Sequence, residues 1–487
     1  MKDKAKNHWL ILVILALAQF MVVLDTSIVN VALPAIQKAF HMPVSSLQWL
    51  VTAYTLAFGG FLLLGGRAAD LYGRRKLFMI GTAIFGVASL LDGLAQTGGM
   101  LIALRAAQGL AAALMSPAAL SIVLVTYREG HERNTALSVW GSVAAGGAAA
   151  GVLLGGIITE YLGWRWNFFI NVPVAAAVIF ATWRLVPAHE SEETHNQLDL
   201  PGAISITGAL MLLVYGLVEA PSHGWTSHTS LGYFIVSLLL FAYFVMNEQR
   251  VQNPLVPFKI FRIRNVTAAN LIQMPIMAGM FSTFFFVSLY AQRVLGYSPV
   301  KTGLCFLVIP VAIAVSATNV PRLVKKIGFK PILMVAPLVT ASALFYLSHI
   351  RVGGNFAHDL LPGFVLMGLG MGATFISITI AATSGVSGKE SGLASGLLNT
   401  AQQIGGAVGL AVLTGIASSV AANYLTHLNL LRQPSNLELL TAQVHGFHAA
   451  FYLATGFMIT ASVLAAVLLK QQKVSETDVK SAMTSAG

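Results

Sequence analysis

The stretch from Trp9 to Pro34, WLILVILALAQFMVVLDTSIVNVALP, is a long apolar run with one carboxylate, Asp25, deep inside it. A helix rises about 1.5 Å per residue, so Asp25 lies about 24 Å along a segment that must cross a hydrocarbon core of about 30 Å. At that depth its side chain cannot reach water on the side where the helix starts. Acids in such positions are costly, face a bundle interior or a wet cavity, and indicate a functional site.

The composition indicates an integral membrane protein. The chain is 56% hydrophobic and 10% charged, with a mean hydropathy of +0.75, whereas soluble globular proteins are about 45–50% apolar and about 25% charged. Apolar segments of about 20 residues indicate membrane helices and exclude a transmembrane β-barrel. The first of them ends in no small-residue cleavage site, so we expect an uncleaved span rather than a signal peptide. The single cysteine, Cys305, excludes an intrachain disulfide.

Fourteen segments are predicted to cross the membrane. They lie near residues 9–34, 47–66, 77–96, 100–124, 135–161, 167–187, 200–219, 230–248, 266–292, 302–320, 331–350, 360–384, 393–421 and 447–469. With the amino terminus in the cytoplasm, 22 of the 29 Lys and Arg residues fall on the cytoplasmic side and 6 on the outer side. This bias predicts that both termini are cytoplasmic. It also explains the net charge of +11 by topology, so no nucleic acid partner is expected.

Two loops indicate an internal repeat. GRAADLYGRRK at 66–76 has a fainter copy, PRLVKKIGFKP, at 321–331, and Gly73 aligns with Gly328. One loop per half is typical of transporters built from repeats. We therefore predict an all-α fold of two six-helix bundles with a two-helix insert. The predicted domains are residues 1–187, a linker and insert at 188–250, a second bundle at 251–469, and a cytoplasmic tail at 470–487.

Four motifs carry a resemblance to a known family. They are LDTSIVNVALP at 24–34, GRAADLYGRRK at 66–76, RAAQG at 105–109 and WRWNFFINVP at 164–173. Together they resemble the fourteen-spanning drug/proton antiporters of the major facilitator superfamily over nearly the whole chain. The resemblance implies the major facilitator fold, with a central cavity that opens alternately to each side. It also implies efflux of amphipathic, often cationic compounds in exchange for protons.

Three ionisable residues in the first six spans are candidates for proton coupling. Burial disfavours the charged form of a carboxylate, so Asp25 is suited to taking up a proton; a permanently paired structural acid is the alternative. Arg105 lies about 9 Å inside the fourth span, near the level of Asp25. It is an allowed partner for Asp25, or a brace of the bundle. Asp92 reaches a similar depth in the third span, either as a coupling residue or as an acid reached by water near the outer interface.

The loop at 66–76 is predicted to act as a gate on the cytoplasmic side. Asp70 is expected to pair with Arg67 or Arg74 and to accept hydrogen bonds from the amino terminus of a neighbouring helix. Breaking such contacts creates a two-state gate. The positive-inside bias alone requires neither Asp70 nor Gly73 at these spacings.

The fifth span has a smooth face made by Gly147, Gly151 and Gly155, which favours close helix packing. In the family's antiporter motif a proline follows the glycine that aligns with Gly151. Here Val152 follows, which removes an expected kink. This departure leaves proton symport open as an alternative to antiport.

Candidate substrate contacts are soft, aromatic or amide side chains, which suit varied apolar ligands. Core packing or lipid contact is the alternative for each of them. These candidates are Asn30, Trp49, Tyr54, Gln108, Met277, Phe281, Phe284, Asn399 and Gln402.

The main hypothesis is a secondary active multidrug efflux transporter of a bacterial cytoplasmic membrane, in which protonation of Asp25 weakens its hold on a cationic substrate. Alternatives are proton-coupled symport, export of one specific metabolite and, from another class, a non-transporting membrane sensor. The sequence contains no phosphate-binding GxxxxGK[ST] motif and no metal-ligand spacing. We therefore expect no ATP-driven transport, no enzyme activity and no metal or cofactor. Expected partners are protons, small molecules and the lipid bilayer, while an envelope adaptor stays open.

Overall fold

A computed structural model describes residues 2–127, 131–187, 198–224, 226–386, 390–428 and 432–471. As predicted, it contains fourteen helices long and apolar enough to cross a membrane within these residues. We number these spans α1 His8–Phe40, α2 Val44–Tyr72, α3 Arg74–Leu94, α4 Gly98–Thr126, α5 Thr135–Tyr161, α6 Trp166–Leu185, α7 Leu200–Ala220, α8 His228–Arg250, α9 Arg264–Val294, α10 Pro299–Ile327, α11 Phe329–Leu347, α12 Phe356–Thr383, α13 Ser391–His427 and α14 Asn436–Leu468.

Several spans extend beyond these bounds or contain a break. The first helix begins at Lys2, the fifth at His131, and the seventh continues to His223. Span α2 consists of Val44–Leu47 and Trp49–Tyr72, α6 of Trp166–Phe169 and Asn171–Leu185, and α10 of Pro299–Phe306 and Val308–Ile327. A π-helical turn, Tyr290–Val294, ends α9, another, Phe356–Leu360, begins α12, and a 3-10 turn at Phe258–Arg262 precedes α9.

Local sequence explains where several helices begin. The side chain of Thr97 accepts a hydrogen bond from the Met100 amide at the start of α4. The side chain of Ser298 caps α10, whose first residue is Pro299. At the start of α14, Ser435 and Glu438 form a capping box. Each arrangement satisfies backbone amides that have no partner within the helix.

The first six and the last six spans repeat the same packing. In the N-terminal bundle, α2 and α3 pack against α4, and α6 packs against α1 and α3. In the C-terminal bundle, α10 and α11 pack against α12, and α14 packs against α9 and α11. The pair α1 and α5 likewise recurs as α9 and α13. The two bundles are therefore built on one plan, as the repeated loop predicts.

The repeated loops adopt matching corners. Gly73 stands between α2 and α3 with φ 93°, and Gly328 stands between α10 and α11 with φ 79°. After the first corner, Arg75 donates a hydrogen bond of 2.6 Å to the Trp183 carbonyl at the end of α6. After the second, Lys330 donates one of 2.8 Å to the Leu469 carbonyl just beyond α14. Each corner thus supplies a cation to the carboxyl end of its bundle's last span, where the helix dipole is negative.

Hydrogen bonds join α1 to α9 across the two bundles. The Ser288 hydroxyl donates to the Asn30 carbonyl at 2.6 Å, and the Gln292 amide donates to the Val31 carbonyl at 2.8 Å. These bonds lie in the halves of the helices that the positive-inside bias predicts to face the outside. We call them, together with the α5 and α10 contact described next, the outer seal.

The second part of the outer seal joins α5 to α10. The Glu160 carboxylate accepts a hydrogen bond of 2.9 Å from the Val300 amide in the first turn of α10. A methyl group on Gly156 would lie 2.5 Å from the Pro299 carbonyl oxygen, and one on Gly303 would lie 2.3 Å from the Val152 carbonyl oxygen. Glycines therefore permit the close approach of these helices, and Glu160 caps a helix of the opposite bundle.

The insert, α7 and α8, lies beside the third pair of helices that joins the bundles, α2 and α13. Span α7 packs against α8, α2 and α13, and its Val214 and Val218 share a buried cluster with Leu56 and Ala407. The predicted acidic linker falls mostly at 188–197, and most of the predicted tail falls at 472–487. Both of these ranges lie outside the described residues.

We predict that Gly73→Ala lowers the free energy of unfolding by about 1–3 kcal/mol, because alanine is strained at this positive φ. The measurement is the thermal unfolding midpoint of the purified protein in detergent. Gly99→Ala is the control, since Gly99 is helical with nothing within 4 Å of an added methyl group. Equal midpoints for the two variants would contradict the prediction.

Candidate functional site

Asp25 lies in a closed polar cluster inside the N-terminal bundle. Its side chain is fully buried. One carboxylate oxygen is 2.5 Å from Nη1 of Arg105 on α4. The other accepts hydrogen bonds of 3.0 Å from the Gln108 amide and 3.0 Å from the Asn171 amide on α6. Three donors from two neighbouring helices thus replace the water that a carboxylate would have at the surface.

Arg105 is held on several sides. Its Nη1 also donates to the Gln108 side-chain oxygen, and its Nε donates to the Leu50 carbonyl at 3.1 Å. The guanidinium carbon lies 4.4 Å from the centre of the Tyr54 ring and 5.9 Å from that of Phe168. An arginine suits this position because its planar group can form several directed hydrogen bonds and stack on aromatic rings.

Ser89 and Asn171 complete the cluster, and the sequence analysis did not single out either residue as a site residue. The Ser89 hydroxyl donates to the Phe168 carbonyl at 2.9 Å. It accepts from Asn171 at 3.0 Å and from Gln108 at 3.3 Å. Asn171 lies in the motif at 164–173, and an amide side chain within an apolar helix could have indicated a buried polar site. The serine had no comparable signal, since a hydroxyl within a helix usually bonds its own backbone.

Asp92 lies one turn after Ser89 on α3 and is fully buried. Within the described residues, neither of its carboxylate oxygens has a hydrogen-bond partner. The charged groups acting on it are Arg105 and Asp25. Three ionisable side chains therefore share one buried region, as their predicted depths implied, and only two of them form an ion pair with each other.

The predicted gate residues lie at the opposite end of the bundle. Asp70 and Arg74 form an ion pair of 3.1 Å across the Gly73 corner, and both side chains are partly exposed. Arg67 lies one turn before Asp70 on α2. The sequence allowed either Arg67 or Arg74 as the partner of Asp70, and in the structure Asp70 pairs with Arg74.

Comparison with known proteins identifies the family. Residues 15–410 match the Major Facilitator Superfamily. The chain belongs to this superfamily. The puromycin resistance protein of Streptomyces alboniger is 38% identical to it over 98% of this chain and 94% of that protein. The cephamycin export protein of Amycolatopsis lactamdurans is 37% identical over 84% of this chain and 85% of that protein. The multidrug resistance protein Stp of Mycobacterium tuberculosis is 33% identical over 87% of this chain and 78% of that protein.

Solved structures show the same fold. The POT family transporter PepTSo has a TM-score of 0.70 at 13% identity, covering 95% of this chain and 97% of that one. A bacterial homologue of the human lysosomal transporter Spinster has a TM-score of 0.68 at 14% identity. Its inward-facing, occupied structure matches 94% of this chain, and the match covers 96% of that chain. The family match and these relatives identify the chain as a multi-pass membrane transporter of the major facilitator superfamily, which is not a family of enzymes.

The glycine face of this transporter's fifth span lies against α1. Added methyl groups on Gly147, Gly151 and Gly155 would lie 3.3, 2.6 and 2.8 Å from the nearest atoms of α1. Among those atoms are side-chain carbons of Ser27 and Ile28. The helix that carries Asp25 is therefore in direct backbone contact with the helix that carries Glu160.

The candidate substrate residues lie in several places. Tyr54 and Gln108 belong to the Asp25 cluster, and Trp49 packs against Tyr215 of the insert, with ring centres 5.9 Å apart. The Asn30 side chain donates to the Thr26 carbonyl at 3.0 Å, and Gln402 accepts from Gln273 at 3.3 Å. In the C-terminal bundle Met277 is fully buried, Phe281 packs on Gly406, Phe284 packs on Phe306, and Asn399 is exposed.

We predict that Arg105→Leu lowers the free energy of unfolding by about 3–5 kcal/mol, because it leaves the Asp25 carboxylate buried without a counterion. The double variant Asp25→Asn with Arg105→Leu is expected to recover part of this loss, since it buries no net charge. Thermal unfolding in detergent measures both effects.

Arg432→Leu is the matched control for this comparison. It breaks the exposed ion pair of 3.0 Å with Glu438, which is expected to contribute about 1 kcal/mol or less. A double variant at Asp25 and Arg105 that is no more stable than Arg105→Leu would refute the role of the uncompensated charge.

Proposed function

We propose that this transporter is a secondary active exporter that exchanges protons for amphipathic, cationic small molecules by alternating access. The observation that carries the proposal is the buried ion pair between Asp25 and Arg105 within a cluster of neutral donors. A proton added to Asp25 removes the charge that balances Arg105. The two protonation states therefore favour different arrangements of the helices that hold this pair.

Coupling acts through these helices rather than through direct contact of substrate with Asp25. Both carboxylate oxygens are already occupied by protein donors, and the side chain is fully buried. A cationic substrate would have to displace Arg105 to bind there. Protonation instead weakens the bond between α1 and α4, while Arg105 keeps the Leu50 carbonyl and the Tyr54 ring.

Span α1 connects the proton site to the outer seal. Asn30 is five residues after Asp25, about 7.5 Å along the helix, and its carbonyl accepts the hydrogen bond from Ser288 of the other bundle. The same span packs along the glycine face of α5, which carries Glu160. A shift of α1 on protonation of Asp25 would therefore reach both parts of the outer seal.

Asp92 is a candidate for the path by which protons reach Asp25. It is buried beside the same arginine and has no hydrogen-bond donor within the described part of the chain. An ionised carboxylate without such a donor is costly to bury. We propose that it carries a proton in this conformation.

Several features favour outward transport and cytoplasmic opening. The names of the relatives denote resistance to puromycin, export of cephamycin and multidrug resistance. The hydrogen bonds of the outer seal hold the end assigned to the outside closed, whereas Asp70 pairs within its own loop. We propose that Asp70, Arg67, Arg74 and Gly73 form the cytoplasmic gate when the transporter opens outward. The relatives from Streptomyces and Mycobacterium favour a bacterial plasma membrane.

We predict that Asp25→Asn reduces substrate flux driven by a pH gradient at least tenfold in proteoliposomes. Substrate exchange in the absence of a gradient should continue, because it requires binding and movement but no proton. Exchange is therefore the control for a folded and active variant. Undiminished gradient-driven flux would overturn the proposal, and substrate movement in the same direction as protons would indicate symport.

The substrate class is tested by susceptibility of an efflux-deficient bacterial host that expresses the chain. Quaternary ammonium compounds and cationic dyes are expected to lose potency more than neutral compounds of similar size. The Asp25→Asn variant, expressed at the same level, is the control. Equal protection by the two proteins would contradict proton-coupled export.

We predict that Glu160→Ala opens the outer seal, because the first turn of α10 then loses the carboxylate that caps it. A membrane-impermeant thiol reagent should label Ser288→Cys from outside at least threefold faster in this background than in the Glu160 parent, with Cys305→Ser in both. Glu160→Gln retains an acceptor and should give an intermediate rate. Equal rates in all three proteins would contradict a role for Glu160 in the seal.

A further inference from the structure

Two buried carboxyl groups meet at the base of the insert. Asp199 immediately precedes α7 and Glu248 lies in the last turn of α8. Each residue is only 4% exposed. One oxygen of each carboxyl group lies within 3 Å of the position that a methyl group on Gly202 would take, so the two groups face each other across this glycine. Buried ionised carboxylates in contact repel strongly, so such a pair needs a positive charge or a proton.

Asp199 accepts more hydrogen bonds than Glu248. Its Oδ1 accepts hydrogen bonds from the Gly202 amide at 2.9 Å and from the Asn247 side chain at 2.7 Å. Its Oδ2 is 2.8 Å from the same Asn247 nitrogen. Both oxygens of the Asp199 carboxyl group therefore have a hydrogen-bond donor.

Glu248 has one oxygen satisfied and one without a donor. Its Oε2 accepts from the Val256 amide at 2.8 Å. Its Oε1 is buried and has no hydrogen-bond partner in the described part of the chain. The ion pairs between described residues lie elsewhere, at Asp25, Asp70, Asp359 and Glu438.

One oxygen of each carboxyl group, Asp199 Oδ2 and Glu248 Oε1, approaches the same glycine. A methyl group on Gly202 would lie 2.3 Å from Asp199 Oδ2 and 2.9 Å from Glu248 Oε1. Only a residue without a side chain leaves this space to the two oxygens. A proton on Glu248 Oε1 would be donated to Asp199 Oδ2, which satisfies the one oxygen that lacks a partner.

We propose that Asp199 and Glu248 share a proton and so form a clasp, a proton-binding site that joins the start of α7 to the end of α8. A proton fits better than a metal ion, because Ca²⁺ takes six to eight oxygen ligands and Mg²⁺ an octahedral set, whereas two carboxyl oxygens converge here. The proton joins the start of α7 to the end of α8, and Glu248 in turn holds the Val256 amide.

The clasp lies beside the seam, by which we mean the contact between α2 and α13 that joins the two bundles. Leu255 packs in one cluster with Leu64 of α2 and Ala203 of α7. Val256 packs in another with Leu63 of α2 and Leu397 of α13. Loss of the proton would place two negative charges together and drive Glu248, with the Val256 amide that it holds, away from Asp199. The clasp therefore makes the attachment of the insert to this seam sensitive to pH at the end of the molecule assigned to the cytoplasm.

Infrared difference spectroscopy of the purified full-length chain in nanodiscs tests the site without any transport assay. A carbonyl band of a protonated carboxyl group is expected at neutral pH and should disappear in Glu248→Gln. It should also disappear in Asp199→Asn, because the new amide can donate to Glu248 and the shared proton is no longer needed. Asp92→Asn is the control and should leave this band in place.

Each outcome decides the proposal. A band that survives Asp199→Asn would show that Glu248 is protonated by burial alone, and absence of any band that depends on Glu248 would exclude the shared proton. Removal of the band by added Na⁺, K⁺ or Ca²⁺ in the wild type would indicate a cation site instead. Asp199→Asn leaves Glu248 in place, so it answers the question even where Glu248→Gln does not fold. Failure of proton-coupled export would leave these spectra unchanged.

Discussion

The ion pair between Asp25 and Arg105 is the interaction on which the N-terminal bundle depends. Neither charge could remain in the hydrocarbon region alone, because water is absent there and the cost of an unpaired ion is high. Each group is therefore surrounded by protein donors and acceptors: the Gln108 and Asn171 amides on one side, and the Leu50 carbonyl and Tyr54 ring on the other. Five helices, α1, α2, α3, α4 and α6, contribute to this cluster, and a single proton can change its balance of charge.

In the proposed mechanism, small residues transmit a change at Asp25 to whole helices. The glycines of α5 bring its backbone against α1, and Gly156 and Gly303 bring α5 against α10. Since α1 and α5 also provide the acceptors of the outer seal, the proton site and the seal belong to one packed unit. In a close-packed interior such a unit moves as a body between discrete arrangements, and small local shifts reach distant contacts.

The two bundles share a plan but use it with different chemistry. Both corners place a cation on the carboxyl end of the bundle's last helix, through Arg75 in one and Lys330 in the other. The buried ion pair lies in the first bundle. In the second bundle Asp359 accepts from Arg351 at 3.4 Å in the first turn of α12, near the outer end. The insert adds a third element, in which Glu248 holds the loop after α8, and that loop packs against α2 and α13.

The sequence alone determined the class of fold, the fourteen spans, the repeated corner and the depth of Asp25, Arg105 and Asp92, because these follow from segment length, hydropathy and spacing along one helix. Depth also made Arg105 an allowed partner for Asp25. The rotation of each helix about its axis was decided only in the tertiary structure. That rotation brings Asn171 and Ser89 to Asp25, turns Trp49 towards the insert, and brings Asp199 close to Glu248, 49 positions along the chain. These contacts join separate helices, and no periodicity within one helix specifies which face its neighbour will meet.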